Sequence, residues 1–335
     1  RSYIIADSPG HVEYTRNMVT GASTSQASII LIDARNGVLE QTYRHFFINN
    51  LLRVKDVIVA VNKMDLVDYS ETTFNTIKEE VIALAKRSDY KDQNLTFIPL
   101  SSLHGVNVVN KSDKIPWYNG ETLLTHLENI SVDDVEEKAP TRLPIQTVIR
   151  PKTSSHHDFR GYAGKVYGGA LAIGDQVTVL PSKTNSRIKG IHFFNKSYQM
   201  AESGSSVTVT LEDDVNVSRG DMIVKSSEPS KITKNINATV CWMDENPLES
   251  SRKYILQHGT NNVLAKIDGI EAVISTDFSG EKNNVNHLIL NEIGKVNIKL
   301  SKPLFYDTFA ENKSNGAFIL IDSQTNNTAG VGFIN

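Results

Sequence analysis

Short apolar segments alternate with longer amphipathic segments over the first third of the chain. Strands are predicted where the segments are apolar almost throughout, at Tyr3–Ala6, Ser28–Asp33, Val57–Val61 and Leu95–Leu100. Helices are predicted where apolar residues recur at helical spacing, over Val12–Gly21, Leu39–Leu52, Ser70–Arg87 and Gly120–Ile130. Strands without alternation are typical of a parallel sheet covered by helices on both faces. The pattern therefore predicts an α/β domain with a mostly parallel sheet.

The pattern changes after an acidic segment, Ser131 to Arg142, which we interpret as a solvated hinge. A first set of short strands is predicted at Pro144–Arg150, Gly164–Val166, Gln176–Leu180, Ser186–Phe194, Ser206–Leu211 and Met222–Val224. A second set is predicted at Ala238–Met243, Tyr254–His258, Asn262–Ile274, Gly294–Leu300 and Ala317–Ile321. The spacing of their turns is typical of β-barrels. We divide the chain into an α/β domain (1–138) and two β-barrel domains (139–228 and 229–335).

Composition limits the cellular compartments and the binding partners that we expect for the protein. The formal net charge of −3 over 335 residues gives no overall reason to bind nucleic acid or an anionic membrane. A single cysteine, Cys241, excludes an internal disulfide and a cysteine-based metal cluster, which favours a reducing compartment. No apolar run approaches the ~20 residues that a membrane-spanning helix needs. We expect a cytoplasmic protein that binds neither nucleic acid nor membrane.

The segment Asp7-Ser8-Pro9-Gly10-His11 follows the first predicted strand directly. A carboxylate at the end of a strand can hold Mg²⁺ through water, and a glycine N–H can approach a terminal phosphate because no Cβ intervenes. The histidine then lies where it could orient a water for in-line attack. The segment predicts a γ-phosphate sensor, and the alternative is an ordinary Pro-Gly turn.

Asn62-Lys63-Met64-Asp65 ends the third predicted strand. The aspartate can accept hydrogen bonds from the N1–H and 2-amino group of guanine, which adenine lacks. The asparagine amide can reach the other edge of the base and brace neighbouring loops, while the lysine stem can lie flat on the ring. The segment predicts a guanine site, against the alternative of a structural turn.

Ser101-Ser102-Leu103 follows the fourth predicted strand, and His104-Gly105 comes next. A backbone N–H of this turn could meet guanine O6 and set the base against Ser101. Serine-rich turns are common after strands, so the prediction depends on the position of this one.

Together these three segments resemble the third, fourth and fifth signature segments of GTPases of the translation-factor superfamily. The match continues through a stretch similar to the second switch, Pro9 to Gly21, and through Gln41-Thr42-Tyr43-Arg44-His45. Within the superfamily the chain most resembles the GTP-binding large subunit of bacterial sulfate adenylyltransferase. The residues that carry this resemblance are 31–39, 62–70, 116–124 and 158–164.

The resemblance implies a partial P-loop GTPase domain followed by two β-barrels, with GTP and Mg²⁺ as cofactors. Asp7 would hold Mg²⁺, Gly10 would sense the γ-phosphate, and His11 would be the catalytic residue. A partner, the small catalytic subunit, would transfer the adenylyl group of ATP to sulfate and give adenosine 5′-phosphosulfate. The alternative is an elongation-factor-like GTPase that delivers aminoacyl-tRNA. Such factors typically show G-T-V-x-x-G-R where this chain has Phe159 to Lys165.

The chain also departs from the superfamily pattern. No G-x-x-x-x-G-K-[ST] occurs, and the switch threonine is missing as well. The chain begins at Arg1, so we expect the natural polypeptide to extend upstream and residues 1–335 alone to bind GTP weakly or not at all and to be inactive. Ser8 replaces the more usual threonine, and Ser102 the more usual alanine. A degenerate scaffold without nucleotide chemistry is the third possibility.

Four other motifs have plain structural interpretations. We expect His156-His157-Asp158 to form a solvated loop, because adjacent histidines in a strand point to opposite faces. Cys241-Trp242 is expected in the core of the last barrel, Trp117-Tyr118 at the end of the first domain, and Arg219-Gly220-Asp221 in a turn.

Overall fold

A computed structural model describes residues 2–8, 15–131, 138–151, 159–194, 196–250 and 252–335. The chain forms two compact units. The first comprises Arg1–Asp133 with Ile274–Lys282, and the second comprises Asp134–Val273 with Asn283–Asn335. Within the described ranges, no helix combines the length and the apolar character that crossing a membrane requires.

The first unit is built on a parallel sheet in the order β1-β2-β3. Its elements are α1 (Thr15–Ala22), β1 (Ala27–Asp33), α2 (Glu40–Leu51), β2 (Asp56–Asn62), a 3₁₀ helix (Met64–Val67), α3 (Glu71–Arg87), β3 (Asn94–Pro99) and α4 (Leu123–Asn129). The predicted strands at residues 28–33, 57–61 and 95–100 and the helices α2 and α3 are confirmed. The predicted helix over Val12–Gly21 is described only from Thr15.

Local signals explain where the helices begin. Ser70 caps α3, because its hydroxyl accepts a hydrogen bond of 3.2 Å from the Thr73 N–H. Thr122 caps α4 in the same way by accepting from the Thr125 N–H. The predicted start of this last helix at Gly120 is therefore wrong by three residues, since the cap stops the helix from extending further towards the N-terminus.

The predicted strand Tyr3–Ala6 is wrong. This segment forms no strand, and the side chains of Ile4 and Ile5 are exposed. A strand needs a neighbour to bond its backbone groups, and no described strand pairs with residues 3–6. The prediction that helices cover both faces of every strand is also wrong for β1. Five consecutive residues of β2 are buried, whereas the Leu31 side chain of β1 is 63% exposed.

The second unit contains two large sheets, each closed by one additional strand pairing, and two small two-stranded sheets. The first includes β4 (Arg142–Ile149), β5 (Gly161–Lys165), β7 (Gln176–Leu180), β8 (Thr184–Phe193), β9 (Lys196–Tyr198), β11 (Ser206–Leu211) and β12 (Met222–Lys225), with β6 (Leu171–Ala172) and β10 (Met200–Ala201) paired beside it. The order β11-β5-β4-β12-β7-β8 closes because β8 pairs with β11. This gives the predicted barrel with six strands in its wall.

The second sheet closes in the same manner. Its strands are β13 (Lys231–Trp242), β15 (Lys253–His258), β16 (Asn261–Ile274), β19 (Ile293–Tyr306), β20 (Ala317–Asp322) and β21 (Thr328–Ile334), with β14 (Leu248–Glu249) and β18 (His287–Leu288) forming a separate pair. The short strand β17 (Glu281–Asn283) falls mostly within the segment Ile274–Lys282 of the first unit. The order β15-β20-β21-β13-β19-β16 closes because β15 pairs with β16. Trp242 lies in the core of this barrel, as expected, together with Tyr254. Cys241 is buried but does not belong to this core cluster.

A buried ion pair joins the two barrels within the second unit. The Arg142 guanidinium donates to both carboxylate oxygens of Asp307 at 2.8 and 2.7 Å, and both side chains are almost completely buried. Arg142 also donates to the backbone carbonyl oxygen of Glu228, and Asn315 donates to Asp307. Because the polar atoms are satisfied, the charges are tolerated out of water.

We predict that Asp307→Asn lowers the free energy of unfolding of the second unit by about 3–5 kcal/mol, since it leaves the Arg142 charge buried and uncompensated. The measurement is urea unfolding followed by Trp242 fluorescence in a Trp117→Phe background. Glu212→Gln is the control, because the Arg187–Glu212 pair is half exposed, and it should cost no more than about 1 kcal/mol. Equal effects of the two substitutions would contradict the prediction.

Candidate nucleotide-binding site

Two of the predicted nucleotide-binding segments leave the sheet side by side. Asp33, the last residue of β1, pairs with Asn62, the last residue of β2. The Leu100 N–H donates to the Val61 carbonyl oxygen, and the Met64 N–H donates to the Leu100 carbonyl oxygen. The turn after β2 and the turn after β3 are therefore bonded to each other at the carboxyl edge of the sheet, where α/β proteins bind their ligands.

Asn62 braces both turns, as predicted. Its side-chain oxygen accepts a hydrogen bond of 2.7 Å from the Lys63 N–H and one of 3.0 Å from the Ser102 N–H. Lys63 has a left-handed backbone with φ of 62°, which turns the chain sharply into the 3₁₀ helix. Met64, the next residue, is fully buried, so its side chain anchors the turn in the core of the first unit.

Asp65 is held by the second turn. The Ser101 hydroxyl, which is completely buried, donates to one oxygen of the Asp65 carboxylate at 2.5 Å. The His104 Nε2 lies 3.9 Å from the other oxygen. The Ser101 hydrogen bond is the main cause that holds the pKa of Asp65 below its ordinary value. Asp65 therefore presents an ionised carboxylate that still has lone pairs for further donors.

Lys63 extends away from the sheet and back towards β1. Its side chain is 47% exposed, and its ammonium lies 2.9 Å from an Asp33 carboxylate oxygen. This partner was not found from the sequence. The sequence did contain a signal for it: Asp33 ends β1, and Lys63 follows β2. Because parallel neighbouring strands end at the same edge of the sheet, these two side chains can meet there.

The remaining candidates of the second turn lie at its surface. The Ser102 side chain is exposed, while its N–H is used by Asn62. Leu103 has an exposed side chain, and within the described ranges its N–H has no hydrogen-bond partner. Of the two backbone N–H groups, only that of Leu103 is therefore left to donate a hydrogen bond to an oxygen of a base.

The structure describes only part of the predicted phosphate sensor. Asp7 is exposed and Ser8 is half-buried, whereas Pro9, Gly10 and His11 lie outside the described residues. The described ranges contain no cluster of three or more histidine, cysteine or acidic side chains suited to a metal ion. The proximity of this segment to the guanine segments stays a prediction.

The other motifs behave as expected where they are described. Trp117 and Tyr118 pack against Phe74 in the first unit, with ring centroids 5.3 and 6.3 Å from it. Gly220 has φ of 93° inside a turn that the Asp221 N–H closes on the Ser218 carbonyl oxygen. The motif His156-His157-Asp158 lies outside the described residues.

Comparisons with known proteins show the family of the chain. Residues 1–144 match the family described as Elongation factor Tu GTP binding domain, and residues 235–335 match the one described as GTP-eEF1A C-terminal domain-like. Over 334 residues the chain is 43% identical to sulfate adenylyltransferase subunit 1 of Aliivibrio fischeri, and it covers 69% of that protein. The chain belongs to the sulfate adenylyltransferase subunit 1 family. The chain is 45% identical to the same subunit of Bacteroides fragilis and covers 69% of that protein.

Longer relatives also match across the whole chain. It is 44% identical over 335 residues to the bifunctional enzyme CysN/CysC of Mycobacterium tuberculosis, and it spans 54% of that protein's length. Two crystal structures, of sup35 complexed with GMPPNP and with GDP, cover 94% of this chain at TM-scores of 0.53 and 0.54. Both are 19% identical to it, so they show the fold alone. The predicted fold class, an α/β GTPase domain followed by β-barrels, is confirmed.

We predict that Ser101→Ala raises the pKa of Asp65, because the substitution removes the hydrogen bond that stabilises the carboxylate. Carbon NMR of the aspartate carboxyl groups over a pH titration measures this directly. Ser102→Ala should leave the same pKa unchanged, since only the backbone of Ser102 bonds within the site. An Asp65 pKa that is equal in both variants and in the unmodified protein would contradict the prediction.

Proposed function

We propose that this chain is the GTP-binding part of a sulfate adenylyltransferase. In this proposal, hydrolysis of GTP is coupled to the formation of adenosine 5′-phosphosulfate from ATP and sulfate by a partner subunit. The observation that carries the proposal is the match over the whole chain to proteins named sulfate adenylyltransferase subunit 1, at 42 to 45% identity. The bonded pair of turns at the sheet edge supports it independently.

The geometry of Asp65 suits a guanine base. One oxygen accepts from Ser101, and the remaining lone pairs can accept from the N1–H and the 2-amino group of guanine. Adenine offers neither donor in that arrangement, so it would leave the carboxylate desolvated and unpaired. A mismatch of this kind discriminates by ~10⁴ or more. The Leu103 N–H, rather than that of Ser102, would meet guanine O6.

The catalytic part of the proposal depends on the first segment. Asp7 would hold Mg²⁺ through water, Gly10 would contact the γ-phosphate, and His11 would orient the attacking water. A single carboxylate suits this role, since Mg²⁺ keeps several waters and takes further oxygens from the substrate phosphates. The exposed Asp7 carboxylate is compatible with it.

The partner is inferred from the names of the relatives. A subunit 1 implies another subunit, and we propose that a small catalytic subunit carries the sulfate-activating residues. This chain then needs none of its own. The elongation-factor-like alternative is weaker, because the structural matches at 19% identity show only a shared fold. We propose a cytoplasmic heteromer that binds neither nucleic acid nor membrane, with domains at 1–138, 139–228 and 229–335.

We predict that the full natural polypeptide, mixed with the small subunit, releases pyrophosphate from ATP only when sulfate is present, and faster with GTP than without it. The measurement is a coupled pyrophosphate assay. GDP in place of GTP is the control and should give no stimulation, because it supplies no hydrolysis. Release of pyrophosphate that is absent, or equally fast without GTP, would contradict the proposal. Binding of aminoacyl-tRNA by the GTP form would favour the alternative.

A further inference from the structure

Three charged side chains meet where β1 and β2 end. Asp33 accepts from the Lys63 ammonium at 2.9 Å and from the Arg35 guanidinium at 3.0 and 2.6 Å. The carboxylate is only 19% exposed, whereas both cations are about half exposed. The acidic group is therefore the fixed centre of the cluster.

Asp33 is held in place by its own turn. Its carboxylate accepts a hydrogen bond of 3.0 Å from the Arg35 N–H, and its carbonyl oxygen accepts from the N–H groups of Asn36 and Gly37 at 3.0 Å each. The hydrogen bond from the Arg35 side chain is the main cause that keeps the pKa of Asp33 well below its ordinary value. The carboxylate thus stays ionised and oriented over the physiological pH range.

Lys63 is fixed at both of its ends. The Asn62 side chain accepts from the Lys63 N–H, and Asp33 accepts from the ammonium. A free lysine side chain samples many rotamers, and ordering it costs up to ~2 kcal/mol of entropy. With its backbone N–H bonded to Asn62 and its ammonium bonded to Asp33, the four-carbon stem has few other positions to adopt.

We propose that Asp33 is a positioning residue for the base: by anchoring the Lys63 ammonium it holds the lysine stem as a preformed platform for the face of guanine. This inference rests on the proposed guanine site. Asp33 itself does not touch the base. Asp33 would raise the affinity for every purine nucleotide, because Lys63 contacts the ring face that all purines share. The preference for guanine would come from Asp65, which bonds to the edge that distinguishes guanine.

The test is Asp33→Asn in the full natural polypeptide, with a fluorescent GDP analogue as the probe. We expect GDP to bind about two- to fivefold more weakly, the range for an exposed ion pair. The ratio of GDP to ADP affinity should stay unchanged, which a general loosening of the site would not allow. In a Lys63→Gln background, Asp33→Asn should have no further effect, because the partner is already absent.

Asp89→Asn is the matched control. It removes the same charge from an exposed position just after α3, and it should bind GDP like the unmodified protein. The inference is overturned if Asp33→Asn binds GDP normally while Lys63→Gln binds it weakly, or if the two effects simply add. An unmodified protein that does not prefer GDP to ADP would instead overturn the proposed function, and this inference with it.

Discussion

In-register pairing of β1, β2 and β3 is the constraint on which the candidate site depends. With Asp33 opposite Asn62 and Val61 opposite Pro99, the loops after the three strands leave the sheet at one edge. A slip of one residue would turn every side chain of a strand to its other face. Because both faces of β2 are buried, it would force the β2 side chains into positions packed for others, and it would separate the two turns that Asn62 now joins. The burial of β2 thereby fixes the geometry of polar residues that lie beyond it.

Hydrogen bonds within the two turns then set the chemistry. Asn62 uses one oxygen for two amides, Ser101 orients Asp65, and Asp33 anchors Lys63. Each of these contacts is made between groups of the protein itself. A ligand that enters such a site orders few side chains, so less of its interaction energy is lost on binding. In the proposed function, this arrangement would receive a flat base with hydrogen-bond donors on one edge.

The sequence predicted the parts whose signal is local. Apolar runs located β1, β2 and β3, and Ser70 marked the start of α3. Segments whose structure depends on a distant neighbour were predicted less well. Tyr3–Ala6 has the composition of a strand but no described strand pairs with it. β13 begins at Lys231, seven residues before the predicted strand, because β19 pairs with its polar first half. The strand β21, which helps to close the last barrel, was missed for the same reason. Its polar start and its two glycines give little strand signal, and only pairing defines it.

The same division applies to the site. Asn62 and Asp65 were recognisable from their order in the chain, whereas the contacts Ser101–Asp65 and Asp33–Lys63 join residues that lie 36 and 30 positions apart. Such contacts depend on strand order, which periodicity does not reveal. A backbone N–H of the turn after β3 was predicted to meet the base, but the use of the Ser102 N–H by Asn62 became visible only in the folded chain.

The most direct test of guanine recognition by these two turns compares the affinities of the full natural polypeptide for GDP, IDP and ADP. IDP keeps the N1–H and O6 of guanine but lacks the 2-amino group, so it forms one hydrogen bond fewer to Asp65. We predict that GDP binds more tightly than IDP by about tenfold or more, the effect of one hydrogen bond to a charged group, and that IDP binds far more tightly than ADP. Equal affinity for GDP and ADP would contradict the claim that these two turns read guanine.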